Sequence, residues 1–281
     1  RDATVTGVQT CALPIYHPRM IGALPGWKDD LTRVQTMGFS DVCLGPIFAA
    51  GASGDILLTD DFERAFPHLQ PSGDADATVQ QLAAIARDAG LSLLLDIVLD
   101  RVAADGTMAR SAPHWFYRTG ASDIVDPRQE QLELDALPAR FDDRQRTAEF
   151  AAWWIDRLIR LAKAGAAGFR LLGLALVPSD FVANLIEGVK SEYPSCLFLG
   201  WTPGLDWARH IELEDAGLDA VFASTPWWDG RAPWFIEEYN RVRRIAPRVI
   251  GVAEAPFEER LALRLARSGQ SDLRAGYVRG R

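Results

Sequence analysis

Cysteine, long apolar runs and surplus positive charge are all scarce in this 281-residue sequence. The three cysteines, Cys11, Cys43 and Cys196, have no Cys-x-x-Cys spacing. Cys43 and Cys196 lie in apolar strand-like runs, so we expect buried free thiols in a reducing, cytoplasmic compartment. No stretch approaches the ~18 apolar residues of a membrane span, so no membrane partner is expected. The formal charge of −8 also argues against nucleic acid as a partner, because nucleic acid requires a basic surface.

Several common active-site motifs are missing as well. Neither Gly-x-Gly-x-x-Gly nor Gly-x-x-x-x-Gly-Lys-Ser/Thr follows a predicted strand, which leaves a nucleotide-binding sheet with little support. No Gly-x-Ser-x-Gly elbow is present for a serine nucleophile. We expect no metal site and no cofactor, because the few histidines are scattered along the chain, at His17, His68, His114 and His210.

What the sequence does contain is an alternation of apolar strand-like runs and amphipathic helices. Strands are predicted at residues 41–48, 91–99, 168–172, 196–200, 218–223 and 248–253, with helices between them and after the last, and no hairpin signal. Because these strands are apolar throughout, we expect a parallel sheet buried on both faces. Right-handed crossovers then produce either a barrel or a doubly wound sheet. Without a phosphate-binding motif, the barrel is favoured, with its site at the carboxyl rim.

Two charged residues lie inside the apolar runs. Arg170 follows Gly168-Phe169, and Asp96 stands in the middle of residues 93–99. A buried charge is costly unless an opposite charge meets it, so we expect Arg170 and Asp96 to pair. The pair either holds the edge of an active site or is a structural ion pair.

The order of these segments resembles the alpha-amylase family of glycoside hydrolases and transglycosylases. The resemblance is carried by Gly45-Pro46-Ile47-Phe48, Leu95-Asp96-Ile97-Val98 and Gly168-Phe169-Arg170. Three further stretches resemble the subgroup around the maltose-1-phosphate maltosyltransferases: His114-Trp115-Phe116, Phe198-Leu199-Gly200-Trp201-Thr202-Pro203-Gly204 and Trp227-Trp228-Asp229. The resemblance spans residues 21 to 265.

The resemblance implies an α/β fold, a truncated (β/α)8 TIM-type barrel. Residues 41–48 would form its second strand and 248–253 its seventh, with the first strand missing or replaced and the eighth missing. The polar segment 101–143 would be a short insertion after the third strand. Residues 1–16 look like translated sequencing adapter, so we expect a non-native leader at 1–16 and a partial barrel at 17–281.

The catalytic positions that the resemblance implies are not filled by carboxylates here. The family's nucleophile stands two residues after the arginine, where this sequence has Leu172, and its acid/base glutamate follows the fifth strand, where this sequence has Trp201. Near the family's third aspartate stands Glu254, which is a displaced acid/base, a third carboxylate or a rim residue in a salt bridge. Retaining glycosidases need two carboxyl groups about 5 Å apart. The remaining catalytic candidates are Asp96, Arg170 and Glu254.

Three functional hypotheses therefore stay open. The first is a catalytically degenerate module that binds α-glucan or maltooligosaccharide, or braces a neighbouring catalytic domain. The second is an active transglycosylase or hydrolase with relocated carboxylates at Asp96, Asp229 and Glu254. The third is a purely structural domain whose rim is filled by Trp201 and Leu172. The candidate substrate-binding residues, whose aromatic rings would either stack on sugar or fill space, are Phe48, Trp201, Trp227, Trp228 and Asp229.

Overall fold

One parallel sheet of seven strands organises the fold. It is described from a computed structural model that covers residues 14–117, 135–229 and 231–252. The strands are β1 (Ile15–Tyr16), β2 (Asp41–Leu44), β3 (Phe48–Ala50), β4 (Thr59–Ala65), β5 (Ser92–Val98), β6 (Arg101–Ala103), β7 (Ala136–Pro138), β8 (Gly168–Leu172), β9 (Leu197–Gly200), β10 (Ala220–Phe222) and β11 (Arg248–Ile250).

The helices fill the connections between the strands of the sheet. They are α1 (Pro18–Ile21), α2 (Trp27–Thr36), α3 (Ala75–Asp88), α4 (Thr107–Ser111), α5 (Arg144–Ala164), α6 (Ser179–Glu192), α7 (Trp207–Glu212) and α8 (Trp234–Ile245). Short 3₁₀ turns lie at Leu24–Gly26, Pro67–Leu69, Pro113–Trp115 and Thr225–Trp227.

The sheet order is β1-β2-β5-β8-β9-β10-β11, and every neighbouring pair is parallel. This order follows the chain, with at least one helix in each connection, which is the arrangement of a (β/α) barrel rather than of a doubly wound sheet. Within the described residues β1 and β11 are the two edges of the sheet, so the barrel is open there. The prediction of a truncated (β/α)8 barrel is confirmed.

The first strand lies at the end of the segment that the sequence analysis set apart as a leader. Ile15 and Tyr16 pair with Cys43 and Leu44 of β2, so these two residues belong to the sheet. Residues 1–13 lie outside the described residues, and their origin as a leader stays a prediction.

Two antiparallel pairs correct the expectation of a chain without hairpins. β3 pairs with β4, and β6 pairs with β7 within the predicted insertion. The sequence of β4, Thr-Asp-Asp-Phe-Glu-Arg-Ala, buries only Thr59, Phe62 and Ala65. Its buried residues recur every third position instead of every second, so the usual strand pattern is absent.

Both faces of the sheet are buried, as the apolar runs predicted. On β5, Leu93, Leu95 and Ile97 face the outer helices and join the larger core, whereas Leu94 faces the barrel interior. Side chains alternate between the two faces of a strand, so Asp96 shares the inner face with Leu94. The interior cluster is Cys43, Leu94, Leu199, Ala220, Phe222, Ile250 and Val252.

Helix α5 anchors the insertion to the barrel. Its start is capped by Asp143, whose side chain accepts a hydrogen bond from the backbone N–H of Arg146, and its end by Gly165 in the left-handed region. Phe150 of this helix packs against Trp115 and Phe116 of the insertion, with ring centroids 5.2 and 5.9 Å apart. The aromatic pair of the insertion therefore contributes to the core.

The two described cysteines are buried and form no disulfide. Burial raises the pKa of Cys196 to about 12, so its thiol stays protonated. Separately, no helix in the described part of the chain combines the length and the hydropathy needed to cross a bilayer.

Candidate functional site at the carboxyl rim

The centre of the barrel holds the expected ion pair. β5 and β8 are neighbours, and their register places Asp96 directly beside Arg170. The guanidinium donates from Nε to Asp96 Oδ1 and from Nη2 to Oδ2, both at 2.6 Å. Neither side chain is exposed to solvent. This bidentate geometry is the strongest form of such a pair and gives each charge the partner that burial demands.

A buried thiol completes the polar group. Cys43 Sγ donates to Asp96 Oδ1 at 3.2 Å. Burial raises the pKa of Cys43 well above its usual range, and the nearby Asp96 raises it further, so the thiol remains a donor. Burial opposes the charge on Arg170, but Asp96 outweighs it, and the pKa of Arg170 is raised. The Cys43 thiol and the Arg170 guanidinium are thus each held in one protonation state at neutral pH.

Two aromatic rings close over the arginine. The Arg170 guanidinium carbon lies 5.3 Å from the ring centroid of Trp201 and 5.5 Å from that of Phe222. The two rings are themselves in contact at 5.2 Å. Among the described residues, Arg170 Nη1 has no hydrogen-bond partner. The two rings stabilise the charge of the Arg170 guanidinium through cation–π contact.

Leu172 and Trp201 occupy the positions that the resemblance assigns to the nucleophile and the acid/base. Leu172 ends β8, half-buried, on the same face as Arg170 by strand alternation. Trp201 follows β9 and is half-buried, and its backbone N–H donates to Leu171 O at 3.0 Å. Neither side chain carries a titratable proton. Asp96 gives both oxygens to Arg170, and Glu254 lies outside the described residues.

The loop after β10 carries three of the candidate binding residues, and their contacts differ. They are Trp227, Trp228 and Asp229. Trp228 stacks on Phe235 at 4.5 Å, and its Nε1–H donates to Ala232 O at 2.9 Å, so the loop uses this ring for its own packing. Asp229 Oδ1 accepts from the N–H groups of residues 231 and 232, which lowers the pKa of this exposed carboxyl. Trp227 is 43% exposed and leaves its ring open to solvent.

Phe48 lies away from this loop, at the start of β3. Its side chain is only 2% exposed, and its ring centroid is 5.0 Å from that of Phe62. The Arg157 guanidinium stacks on it at 5.4 Å. In this arrangement the ring belongs to the core between β3, β4 and α5. The structure therefore brings together Asp96, Arg170 and Trp201, but not Phe48.

A buried polar cluster beneath the rim escaped the sequence analysis. Thr202 Oγ1 donates to Phe222 O at 2.5 Å, and Ser224 Oγ donates to Glu238 Oε1 at 2.6 Å. His210 Nε2 lies 3.5 Å from Thr202 O. These bonds tie the ends of β9 and β10 to α7 and α8, and so fix the loops that carry Trp201 and Trp227. Isolated polar residues give no periodic signal, and only the fold brings them together.

The burial of His210 predicts a loss of stability in mild acid. Burial lowers the pKa of this imidazole, and the charge of Arg241 lowers it further, whereas the contact with Thr202 O and the charges of Glu238 and Asp206 act in the opposite direction. Below about pH 6.5 the unfolded chain therefore takes up a proton before the folded chain does, and the free energy of unfolding falls. Urea unfolding between about pH 7.5 and 5.5 should give a flatter pH dependence for His210→Gln than for the parent chain. Parallel curves would contradict this role of His210.

No group of three His, Cys, Asp or Glu side chains within residues 14–117, 135–229 and 231–252 is placed to hold a metal ion.

Comparison with known proteins gives one curated relative and many structural neighbours. No protein-family model matches the chain. The alpha-1,4-glucan:maltose-1-phosphate maltosyltransferase of Burkholderia pseudomallei is 32% identical over 228 residues, which are 81% of this chain and 20% of the relative. The chain thus spans about a fifth of that protein.

The structural neighbours share the barrel. An alpha-amylase from Lactobacillus plantarum superposes with a TM-score of 0.64 at 20% identity, over 84% of this chain and 60% of that one. A maltogenic alpha-amylase from Thermotoga neapolitana gives 0.65 at 18% identity, over 89% and 61%. At this level of identity the likeness establishes the fold.

Proposed function

Because the chain is related to the alpha-amylase family, near the maltose-1-phosphate maltosyltransferases, we propose that it is a non-catalytic barrel module that binds α-glucan at its carboxyl rim. The observation that carries the proposal is the occupation of the two catalytic positions by Leu172 and Trp201, directly beside an intact Arg170–Asp96 pair. The Arg170–Asp96 pair is present, whereas leucine and tryptophan stand at the positions that the resemblance assigns to the nucleophile and the acid/base.

Loss of catalysis follows from the side chains that stand at these two positions. Retention at a sugar carbon needs a nucleophilic carboxylate and a proton donor about 5 Å apart. Leucine supplies no nucleophile and indole supplies no proton. Asp96 is committed to Arg170 on both oxygens. When residues that act as a unit are removed together, little rate enhancement remains.

Glucan binding is supported by the rings and loops that remain at the rim. Trp227 presents an open indole, and Trp201 is half-buried at the adjacent strand end. Sugar rings have apolar faces that pack on indole, and a neutral ligand does not oppose the net charge of −8. The name of the curated relative includes α-1,4-glucan and maltose 1-phosphate. For this chain we propose only the glucan as a ligand.

Calorimetric titration with maltoheptaose tests the proposal. We expect binding by the parent chain without release of glucose or shorter oligosaccharides. Trp227→Ala should bind about tenfold more weakly, because it loses one aromatic contact of roughly 1.4 kcal/mol. Met37→Ala is the matched control, since Met37 is also exposed but follows α2 at the opposite end of the barrel.

The other hypotheses correspond to different outcomes of the same measurements. Turnover of maltoheptaose that disappears in Glu254→Gln would show an active enzyme with a relocated carboxylate and would refute the degenerate module. Absence of binding by the folded parent chain would remove the glucan-binding role and leave a structural role or the bracing of a neighbouring domain.

A further inference from the structure

Helix α8 is covered on one flank and open on the other. On the covered flank the Arg241 guanidinium stacks on Trp207 of α7, 4.3 Å from the ring centroid, and Arg244 pairs with Glu214 at 3.0 Å. The described elements that pack extensively on α8 are α7, β10 and β11. Within the described residues, the flank that faces away from α7 therefore has no helix packed along it.

The open flank of α8 carries apolar side chains. A helix turns by about 100° per residue, which places Ile236 and Tyr239 on the side opposite Arg241. Ile236 is 61% exposed, and Tyr239 is half-buried. An apolar stripe of this kind is typical of a helix face that packs against another element.

A row of aromatic rings connects the open flank to the rim loop. The ring centroid of Tyr239 lies 6.5 Å from that of Phe235, and Phe235 stacks on Trp228 at 4.5 Å. Trp228 stands next to Trp227 in the loop after β10, and its Nε1–H donates to Ala232 O of the same loop. Because packed side chains transmit displacements to their neighbours, an element that fixes Tyr239 also restrains the loop that presents Trp227.

The path of the chain leads to this flank. β11 pairs only with β10 among the described residues, which end at Val252 shortly after β11. Crossovers between parallel strands are right-handed, so a helix after β11 falls beside α8 on the side away from α7. The sequence predicts such a helix from Pro256, and the connector from Val252 spans at most about 14 Å. The helix must therefore begin close to β11.

The pattern of residues 256–268 fits a helix that packs on one side. Phe257, Leu261 and Leu265 recur every fourth residue and so share one face, whereas Leu263 lies on the opposite face. A helix over these residues would be about 20 Å long, close to the roughly 18 Å of the 12-residue α8. Its apolar face can therefore extend along the whole open flank.

We propose that residues 256–268 form a helix that covers the open flank of α8, with Leu261 against Tyr239 and the apolar face extending over Ile236. Both helices start at the carboxyl rim, and Tyr239 and Leu261 are each the sixth residue of their helix, so they lie at the same depth. The covering helix holds the aromatic row, and through it the loop of Trp227. Only this last effect rests on the proposed glucan-binding function.

Cysteine cross-linking in the full chain tests the contact. Tyr239→Cys combined with Leu261→Cys, in a background with Cys11→Ser, should form an intramolecular disulfide on mild oxidation, because facing positions of two packed helices come within the roughly 7 Å between Cα atoms that a disulfide allows. Cys43 and Cys196 are buried and should not react. Tyr239→Cys combined with Leu263→Cys is the matched control, since Leu263 lies on the opposite face of the predicted helix.

Mass spectrometry without reduction distinguishes the occupants of the flank. A disulfide in the Leu261 pair but not in the Leu263 pair would support the contact. Equal yields in the two pairs would overturn it. Dimers linked through position 239 would also overturn it, because a second copy of the chain would then cover the flank.

The effect on the rim loop has a separate measurement. Leu261→Asp should lower the urea midpoint by about 1 M, because it places a charge against Tyr239, and should weaken maltoheptaose binding about threefold or more, because the loop of Trp227 loses its support. Leu263→Asp should change neither. Equal maltoheptaose affinity of the two variants would refute the link to the loop. If the parent binds no maltoheptaose, the glucan-binding function fails, while the disulfide still decides the contact.

Discussion

Replacing Asp96 by leucine should destabilise the protein by about 3–5 kcal/mol, the usual cost of leaving one partner of a buried ion pair without the other. Arg170 and Asp96 are both completely buried, and the two hydrogen bonds between them are short. The variant would leave the Arg170 charge buried beside Trp201 and Phe222 without its carboxylate partner. It would also remove the acceptor of the Cys43 thiol. Since a domain is typically stable by only 5–15 kcal/mol, partial unfolding or insolubility is expected.

A double-mutant cycle separates the pair from its surroundings. Arg170→Met alone should be as harmful as Asp96→Leu alone, because it leaves a buried carboxylate. The double variant should recover most of the loss, since an apolar replacement of a buried pair is often neutral or stabilising. Urea unfolding of the four proteins gives the coupling energy between the two residues.

A surface pair supplies the control for this cycle. Asp30 lies 3.3 Å from Arg33 on α2, with both side chains largely exposed, so Asp30→Leu should change stability by less than about 1 kcal/mol. Additive losses in the Asp96 cycle, or an Asp96→Leu variant as stable as Asp30→Leu, would contradict the claim that the buried pair holds the centre of the barrel.

The sequence predicted correctly those features for which any other arrangement would cost much free energy. Apolar runs on β5 and β8 can be satisfied only by burial on both faces, which a parallel sheet wrapped in helices provides. A lone Arg170 and a lone Asp96 in such runs have to meet, and they do. The order of segments then left a barrel as the arrangement consistent with the motifs. Such predictions need only hydrophobicity, charge and order along the chain.

The contacts that the sequence did not predict are made by backbone groups or by residues far apart along the chain. Trp228 and Asp229 were candidates either for sugar binding or for packing of the loop, and in the structure backbone groups at 231 and 232 engage them within their own loop. Arg209 of α7 fixes the loop between β8 and α6 through the carbonyls of residues 174 and 177, which any residue type could supply. Every residue carries a carbonyl and almost all carry an N–H, so these contacts leave no mark in the pattern of side chains.

Gly168 illustrates a motif residue whose importance only the structure explains. It opens β8, and a Cβ built there would lie 2.8 Å from Leu197 Cβ and 2.8 Å from Leu94 Cδ2, and closer still to the Leu197 carbonyl oxygen. Leu94 and Leu197 are its partners on the two neighbouring strands. A methyl group therefore has no space unless three strands move apart. The glycine of Gly168-Phe169-Arg170 thus permits the close packing that brings Arg170 beside Asp96.

Gly168→Ala should consequently destabilise the protein by about 3 kcal/mol, at the upper end of the range for overpacking, because one obstructing atom belongs to the backbone and cannot change rotamer. Gly26→Ala is the matched control, since its Cβ would meet nothing within 4 Å and its φ is −80°. That change should stay within about 1 kcal/mol. Chemical unfolding of the two variants beside the parent measures the difference. Equal stability of Gly168→Ala and Gly26→Ala would mean that the sheet yields at β8, and the tight placement of Arg170 against Asp96 would then need another cause.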